Sequence, residues 1–169
     1  MRMHACGDPC LIDLEASGIH PESYPVQVAW SLPTGQIECH LIRPAPEWTY
    51  WDPNAERLHG ISRGVAVERG KPIDWIVERM NTAFDGKTVY SDAVNMDGFW
   101  LGCLFDEHGT DERFWLADYL SLFDENEAQK LASCSREAGY PAHRADLDVA
   151  RLLAIYRCVK VGDKPLGQE

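Results

Sequence analysis

The sequence lacks the features that mark membrane proteins, zinc modules and secreted proteins. No apolar run approaches the roughly 18 residues that a membrane span needs. No Cys-x-x-Cys pair occurs, which argues against a structural zinc site. Residues 1–9 lack the apolar core of a secretory signal, so we expect a cytoplasmic protein whose cysteines are reduced and mostly buried. Those cysteines are Cys6, Cys10, Cys39, Cys103, Cys134 and Cys158.

Basic residues are few relative to acidic ones. The chain has 16 Lys plus Arg against 27 Asp plus Glu, a net charge of −11. This deficit argues against binding long duplex nucleic acid by phosphate neutralisation alone. It does not exclude a nucleic-acid enzyme whose local positive charge comes from metal ions, because the carboxylates that bind metals count among the acidic residues.

The length and hydrophobic patterning predict a single α/β domain. The 169 residues are one domain's worth of chain, with a core over about 9–160 and a short tail at 161–169. The first half predicts an antiparallel meander, and helices then alternate with further strands. This order favours a mixed sheet, antiparallel and then parallel, flanked by helices. The predicted strands are 9–15, 24–32, 36–43, 88–91 and 114–116. The predicted helices are a short one after Ile61, then 72–84, 96–105, 125–138, and a last one that starts between 143 and 146 and ends at about 159.

Two carboxylates stand at the end of the first predicted strand. Asp13 and Glu15 are two residues apart, so on a strand they point to the same face. Such a pair repels itself and costs desolvation energy, and a divalent cation is the usual compensation. The alternative is that the strand frays at Asp13 and both groups are solvated. Gly18 follows in a turn, where a glycine lets the backbone approach a ligand.

A third carboxylate opens an apolar helix in the middle of the chain. Asp97 lies near the start of the segment that includes Phe99 to Leu101. It is either a functional carboxylate or a first-turn acid that accepts hydrogen bonds from free backbone N–H groups. Asp92 is a nearby competitor for any functional role.

A histidine and two aspartates lie at the start of the last predicted helix. His143 and Asp148 are five residues apart, which on a continuous helix places them about 140° apart. Both can face one site only if His143 lies in the loop or frayed turn before the helix, and Pro141 upstream is compatible with that. On helix geometry alone Asp146, at three residues, is the better partner. The alternative is a solvated helix start with no site.

In order and spacing, these motifs resemble the DEDDh family of 3′–5′ exonucleases, which includes RNase T, oligoribonuclease and the epsilon subunit of DNA polymerase III. The acidic pair, the spacing from Asp97 to Leu101, and His143 followed by Asp148 match the family's three motifs. The His-Gly-Ile turn at 59–61 stands where many members have one. The resemblance spans residues 11–156, and the order of the motifs is more specific than any one of them.

The sequence departs from the family pattern at two places, and these departures affect which branch of the family it resembles. Many members have a His-Asn pair five and four residues before the central Asp, where this chain has Asp92 and Ala93. The family often has two Thr after the first Glu, where this chain has Ala16 and Ser17. Neither departure removes an acidic residue or the histidine, so they leave open the branch and the substrate.

The resemblance implies a ribonuclease H-like fold and hydrolysis of phosphodiester bonds with two Mg²⁺ ions, for which Mn²⁺ can substitute. It assigns Asp13, Glu15, Asp97 and Asp148 as the catalytic metal ligands and His143 as the general base. Hard cations prefer such carboxylate oxygens, and a neutral imidazole suits proton abstraction near pH 7. The family spacing selects Asp148 over Asp146. The product would be a nucleoside 5′-monophosphate released from the 3′ end.

Candidate substrate-binding residues follow the acidic pair and precede the His-Gly turn. The backbone around Ala16 and Ser17 could hold the sugar of the terminal nucleotide, and His59 could contact the substrate. Aromatic residues at 48, 50 and 51 either stack on single-stranded bases or pack over the sheet edge. The full set of candidates is Ala16, Ser17, Gly18, Trp51 and His59.

The acidic composition favours short single-stranded substrates held mainly at the metals, with RNA as the first choice and DNA as the second. The resemblance suggests a homodimer, and no membrane partner is expected. One alternative is a DNA proofreading or repair exonuclease. Another is a catalytically silent nucleic-acid-binding domain on the same fold, and a third is an α/β domain whose acids coincide by chance.

Overall fold

The computed structural model describes residues 7–160, in which five strands form one mixed sheet. The sheet order is β3-β2-β1-β4-β5. The pairs β1–β2 and β2–β3 are antiparallel, whereas β1–β4 and β4–β5 are parallel. This topology confirms the predicted meander followed by parallel strands. The strands are β1 Cys10–Ala16, β2 Pro25–Ser31, β3 Ile37–Leu41, β4 Thr88–Ser91 and β5 Trp115–Asp118.

Helices cover both faces of the sheet. Pro53 and the Asp52 cap start the first helix, because the Asp52 carboxylate accepts from the Asn54 N–H. Gly60 ends it in the left-handed conformation, with φ 74°. The helices are α1 Pro53–His59, α2 Arg63–Arg69, α3 Ile73–Phe84, α4 Val94–His108, α5 Ala128–Ala138 and α6 Ala145–Lys160. Two short 3₁₀ turns, Tyr119–Leu122 and Glu125–Glu127, precede α5.

Alternation along β1 divides the core into two layers. Ile12 and Leu14 pack with α3 and α4 on one face. Leu11 packs on the other face with the apolar side of α6, including Leu152. Since side chains alternate along a strand, Asp13 and Glu15 lie on the Leu11 face, which α6 covers. The packing of α6 on this face therefore decides what the acidic pair meets.

The sequence prediction missed α1 and misplaced several ends by one to three residues. The segment before His59 was predicted as a loop as far as Asn54, but Pro53 already begins a helix. Helix α4 begins at Val94 and ends at His108, so it extends the predicted helix at both ends. The predicted tail at 161–169 and Cys6 lie outside the described residues.

A disulfide joins Cys134 of α5 to Cys158 of α6. The expectation that all cysteines are reduced was wrong for this pair. The two residues are 24 positions apart in sequence, and only the side-by-side packing of α5 and α6 brings their Cα atoms to 6.1 Å. Among the described residues Cys10, Cys39 and Cys103 are free thiols, and Cys10 is buried as predicted.

Within residues 7–160, the helices are all too short or too polar to cross a membrane.

Candidate active site

The acidic pair lies at the carboxyl end of β1, next to β2 on one side. In the β1–β2 register Asp13 stands opposite Ala29, and Glu15 stands opposite Gln27. The register shifts between Glu15 and Ala16, where β1 leaves the ladder. Both carboxylates are half-buried, so the strand does not fray into solvent at Asp13.

Helix α6 brings a third carboxylate to this pair. Asp148 lies in the first turns of α6 and is buried. Carboxylate oxygens of Asp13, Glu15 and Asp148 all lie within 4.8 Å of one another. Three acids from two distant parts of the chain thus converge on one point.

Burial and repulsion by neighbouring carboxylates disfavour the charged forms of Asp13 and Glu15. Burial, and then the charges of Asp97 and Glu15, raise the pKa of Asp13 to about 10. Burial, and then the charge of Asp148, raise the pKa of Glu15 to about 7. Asp13 and Glu15 therefore tend to hold protons near neutral pH unless a cation compensates their charge.

Asp97 lies beside the three-carboxylate cluster rather than within it. It is buried in the first turn of α4, where its Oδ2 accepts from Ser91 Oγ at 2.5 Å. The backbone of Leu14 on β1 also hydrogen-bonds it. Burial raises the pKa of Asp97 to about 7 although these hydrogen bonds oppose the rise. Asp97 is thus fixed against β1, and it is the charge that most raises the Asp13 pKa.

Among the described residues three buried carboxylate oxygens have no hydrogen-bond partner, and two of them lie at this site. These are Asp13 Oδ2 and Asp97 Oδ1. An unpaired buried carboxylate oxygen is costly, and metal coordination is one of the few arrangements that compensates it. Oxygen donors alone, with no thiolate among them, suit hard divalent cations such as Mg²⁺ and Mn²⁺. The residues present therefore fit a divalent metal site.

His143 lies in the loop before α6, not on the helix. Helix α6 begins at Ala145, and His143 has a left-handed backbone with φ 55°. Its side chain is exposed and lines the same cleft as the three clustered carboxylates. This placement removes the 140° conflict that a continuous helix would impose on His143 and Asp148.

The cleft over the acidic cluster has a volume of about 590 Å³. Ile19 and Leu58 form part of its wall although they are 83% and 56% exposed. The sequence pattern did not identify these two residues as candidates. The signal that could have identified Ile19 is its position as an apolar residue directly after the Gly18 turn. No Lys or Arg is among the described residues that line the cleft.

The turn after β1 shapes one wall of the cleft. Ala16 and Gly18 line the cleft, whereas Ser17 is fully buried. The Ser17 hydroxyl accepts from the Tyr24 N–H at 3.1 Å, so it holds the turn rather than facing the cleft. Gly18 has φ 152°, and a Cβ there would meet Asp52 Cβ at 2.9 Å. Glycine is therefore required at this position.

His59 lines the cleft and also fixes the turn. Its Nδ1 accepts from the Ile61 N–H, so the proton lies on Nε2, which donates to the Ala16 carbonyl at 3.2 Å. Burial lowers the pKa of His59, which favours this neutral form. Trp51 packs against Tyr24 and His59 and does not line the cleft. This arrangement favours the packing interpretation of the aromatic cluster.

Asp92 and Asp146 take different positions around the site. Asp92 is exposed and lines the cleft together with Ala93. Asp146 does not line it; its carboxylate lies 3.6 Å from the Arg144 guanidinium. Of the two acids that the sequence left competing in α6, Asp148 is thus the one beside the acidic pair.

The fold is similar to that of exonuclease I. The zinc-bound form of E. coli exonuclease I with single-stranded DNA superimposes with a TM-score of 0.69 at 18% identity, covering 93% of this chain and 41% of that one. The E. coli enzyme with a dT13 oligonucleotide gives a TM-score of 0.68 at 18% identity over 91% and 41% of the two chains. Exonuclease I from Methylocaldum szegediense gives a TM-score of 0.62 at 17% identity over 94% and 42% of the two chains.

The likeness to exonuclease I agrees with the resemblance that the motifs gave and establishes the ribonuclease H-like fold. The chain spans about two fifths of the length of the solved structures it matches. No protein-family model and no curated protein sequence matches the chain significantly.

Proposed function

We propose that this chain is a DEDDh-type, metal-dependent 3′–5′ exonuclease that releases nucleoside 5′-monophosphates from short single-stranded nucleic acid. One observation carries the proposal: the oxygens of Asp13, Glu15 and Asp148 lie within 4.8 Å of one another in a cleft that His143 also lines. The fold shared with exonuclease I supports it.

The metal ligands in this proposal are Asp13, Glu15, Asp148 and Asp97. The first three form the cluster, and Asp97 supplies an unpaired buried oxygen beside Asp13. Two bound Mg²⁺ ions, or Mn²⁺ in their place, would activate a water and stabilise charge on the leaving 3′-oxygen. Metal binding would also displace the protons that the raised pKa values of Asp13 and Glu15 imply.

The general base in this proposal is His143. Its exposed imidazole lines the cleft and can accept the proton of the attacking water. Asp148 holds the backbone on both sides of this residue, so the base and a metal ligand are fixed together. The apolar side chains of Ile19 and Leu58 offer surface to the sugar or base of the terminal nucleotide.

The absence of cationic side chains from the described cleft lining favours short substrates. A phosphodiester in this cleft meets carboxylates, including Asp52 and Asp92, and no guanidinium or ammonium group. Its charge must then be compensated at the metal site, because the described lining of the cleft offers no basic track to a longer strand. RNA oligonucleotides remain the first choice of substrate.

Single-stranded DNA is the second candidate substrate. The solved structures with a similar fold include exonuclease I bound to single-stranded DNA and to dT13. A proofreading or repair role would follow if DNA is preferred. A catalytically silent binding domain is the outcome expected if nucleic acid binds and is not cleaved.

A homodimer and a cytoplasmic location belong to the same proposal, and the oligomeric state is testable by light scattering.

The test is degradation of 5′-labelled oligonucleotides by the purified protein. All-RNA and all-DNA strands of about 5 and about 20 nucleotides are incubated with Mg²⁺, Mn²⁺ or EDTA. We expect a ladder that shortens from the 3′ end, disappears in EDTA and is faster for the short RNA. A faster DNA ladder would select the second candidate.

The matched variants separate catalysis from folding. His143→Ala should lower the rate at least about 100-fold, because a positioned general base contributes 10²- to 10⁴-fold. His108→Ala, at the far end of α4 and outside the cleft, should keep the wild-type rate. Absence of cleavage of every strand, with metal bound, would contradict the proposed function.

A further inference from the structure

A polar side chain is buried in the sheet directly opposite the acidic pair. Gln27 lies on β2, is 6% exposed and pairs with Glu15 in the antiparallel register. Residues directly opposite on adjacent strands share one face, so the Gln27 side chain lies on the face that α6 covers. A buried amide needs hydrogen-bond partners, and its partner identifies what the residue does.

The partner of Gln27 is the first residue of α6. Gln27 Oε1 accepts from the Ala145 N–H at 3.1 Å, across 118 residues of sequence. The residue before Ala145 is Arg144, whose side chain has no acceptor and cannot cap the helix. Since the first N–H groups of a helix need external acceptors, Gln27 supplies one from the sheet.

The neighbouring N–H groups are held by the candidate metal ligand itself. Asp148 accepts from the Ala142 N–H at 2.7 Å and from the Arg144 N–H at 3.0 Å. These bonds fix the His143 loop to α6, but they do not fix α6 to β1. Apolar packing on Leu11 holds α6 against the sheet, and the Gln27 bond adds a directional connection at the N-terminus of α6, from the strand paired with β1.

We propose that Gln27 is a positioning residue of the active site. By anchoring the N-terminus of α6 to the strand beside β1, its side-chain oxygen sets where Asp148 and His143 stand relative to Asp13 and Glu15. The role in turnover rests on the proposed exonuclease function, whereas the anchoring of α6 does not.

The first test is Gln27→Met, which keeps the length of the side chain and removes the acceptor. A displacement of about 1 Å in a catalytic group can cost about 100-fold, so we expect kcat at saturating metal to fall about 10- to 100-fold. The KM for the oligonucleotide should change less than about threefold, because no wall of the cleft is altered. The control is Ser31→Ala, which removes a buried hydroxyl at the far end of the same strand. It should keep the wild-type kcat.

A double-mutant cycle distinguishes positioning from general destabilisation. If Gln27 acts through His143, then Gln27→Met should lower the residual rate of His143→Ala much less than it lowers the wild-type rate. Equal factors in the two backgrounds, or an unchanged kcat in Gln27→Met, would overturn the proposal.

Amide hydrogen exchange tests the anchoring without any activity. In EDTA, Gln27→Met should speed exchange at residues 142–148 and leave α3 unchanged. If the wild-type protein cleaves no strand, the proposed function fails, and this measurement still decides the anchoring: unchanged exchange at 142–148 overturns it. If Gln27→Met does not fold, Ala145→Pro removes the same bond from the donor side at a helix position that accepts proline. Wild-type kcat in Ala145→Pro would overturn the proposal.

Discussion

The carboxylate of Asp148 accepts hydrogen bonds from the backbone N–H groups on both sides of His143, at Ala142 and Arg144. One side chain therefore contributes an oxygen to the acidic cluster and also closes the loop that presents the imidazole. This arrangement explains why His143 and Asp148 are five residues apart. Asp148, in the first turns of α6, reaches back to the loop in which His143 has a left-handed backbone.

Asp148→Asn should abolish turnover, and Asp146→Asn should not. The amide at 148 keeps one acceptor oxygen but loses the charge that a divalent cation needs, so we expect the rate to fall at least about 100-fold. Asp146 lies outside the cleft next to Arg144, so its amide variant should stay within about threefold of wild type. Single-turnover degradation measures both, and the reverse ranking would contradict the assignment of Asp148.

The metal-free protein should lose stability as the pH rises. In the folded state the pKa of Asp13 is about 10 and those of Glu15 and Asp97 are about 7, above the values near 4 in an unfolded chain. The folded protein therefore holds protons that the unfolded chain has released. The stabilisation from these protonated groups is complete below about pH 4 and is lost as the pH rises through about 7 and then about 10.

Thermal unfolding in EDTA between about pH 5.5 and about pH 8.5 measures this effect. We expect Tm to fall across that range, Mg²⁺ to reduce the fall, and Asp13→Asn to flatten the curve because it replaces the most perturbed carboxyl with a neutral amide. A metal-free Tm that rises with pH over this interval would contradict the pKa directions.

Reducing the Cys134–Cys158 disulfide should destabilise the fold. A cross-link between residues 24 positions apart contributes about 3 kcal/mol by restricting the unfolded chain. Urea unfolding should show that a dithiol reductant lowers the free energy of unfolding of the wild type by about that amount. Cys134→Ser should have this lower free energy of unfolding even without the reductant. The control is Cys103→Ser, which removes a free thiol. The reductant should lower its free energy of unfolding by as much as it does for the wild type. Six reactive thiols in the denatured, unreduced protein would contradict the disulfide.

Ser91→Ala should weaken metal binding without removing a carboxylate. The Ser91 hydroxyl donates to Asp97 Oδ2 and accepts from the Ala93 N–H, so it orients the acid that stands beside Asp13. Loss of such an orienting partner costs about 10- to 100-fold in metal affinity. Titration with Mn²⁺ measures it, with Ser121→Ala, an exposed hydroxyl on the Asp118 carbonyl, as the control. Equal affinities in the two variants would show that Asp97 needs no such support.

The order of strands and helices was largely predictable from local pattern. The alternation around Val28 and the apolar spacing from Ile73 to Phe84 identified a strand and a helix within about one residue at each end, because these periods are set by backbone geometry. Helix α1 was missed because its start depends on the Asp52 cap and Pro53 within an aromatic segment that read as a loop.

The sequence by itself determined that Asp13 and Glu15 share one face of a strand, because that follows from a period of two. Only the tertiary structure decided which residue joins them. Helix geometry favoured Asp146 and the family spacing favoured Asp148, and the packing of α6 on the Leu11 face selects Asp148. The same packing creates the bond from Gln27 to Ala145 and the pairing of Cys134 with Cys158. These contacts join residues 24 or more positions apart, and no local period encodes them.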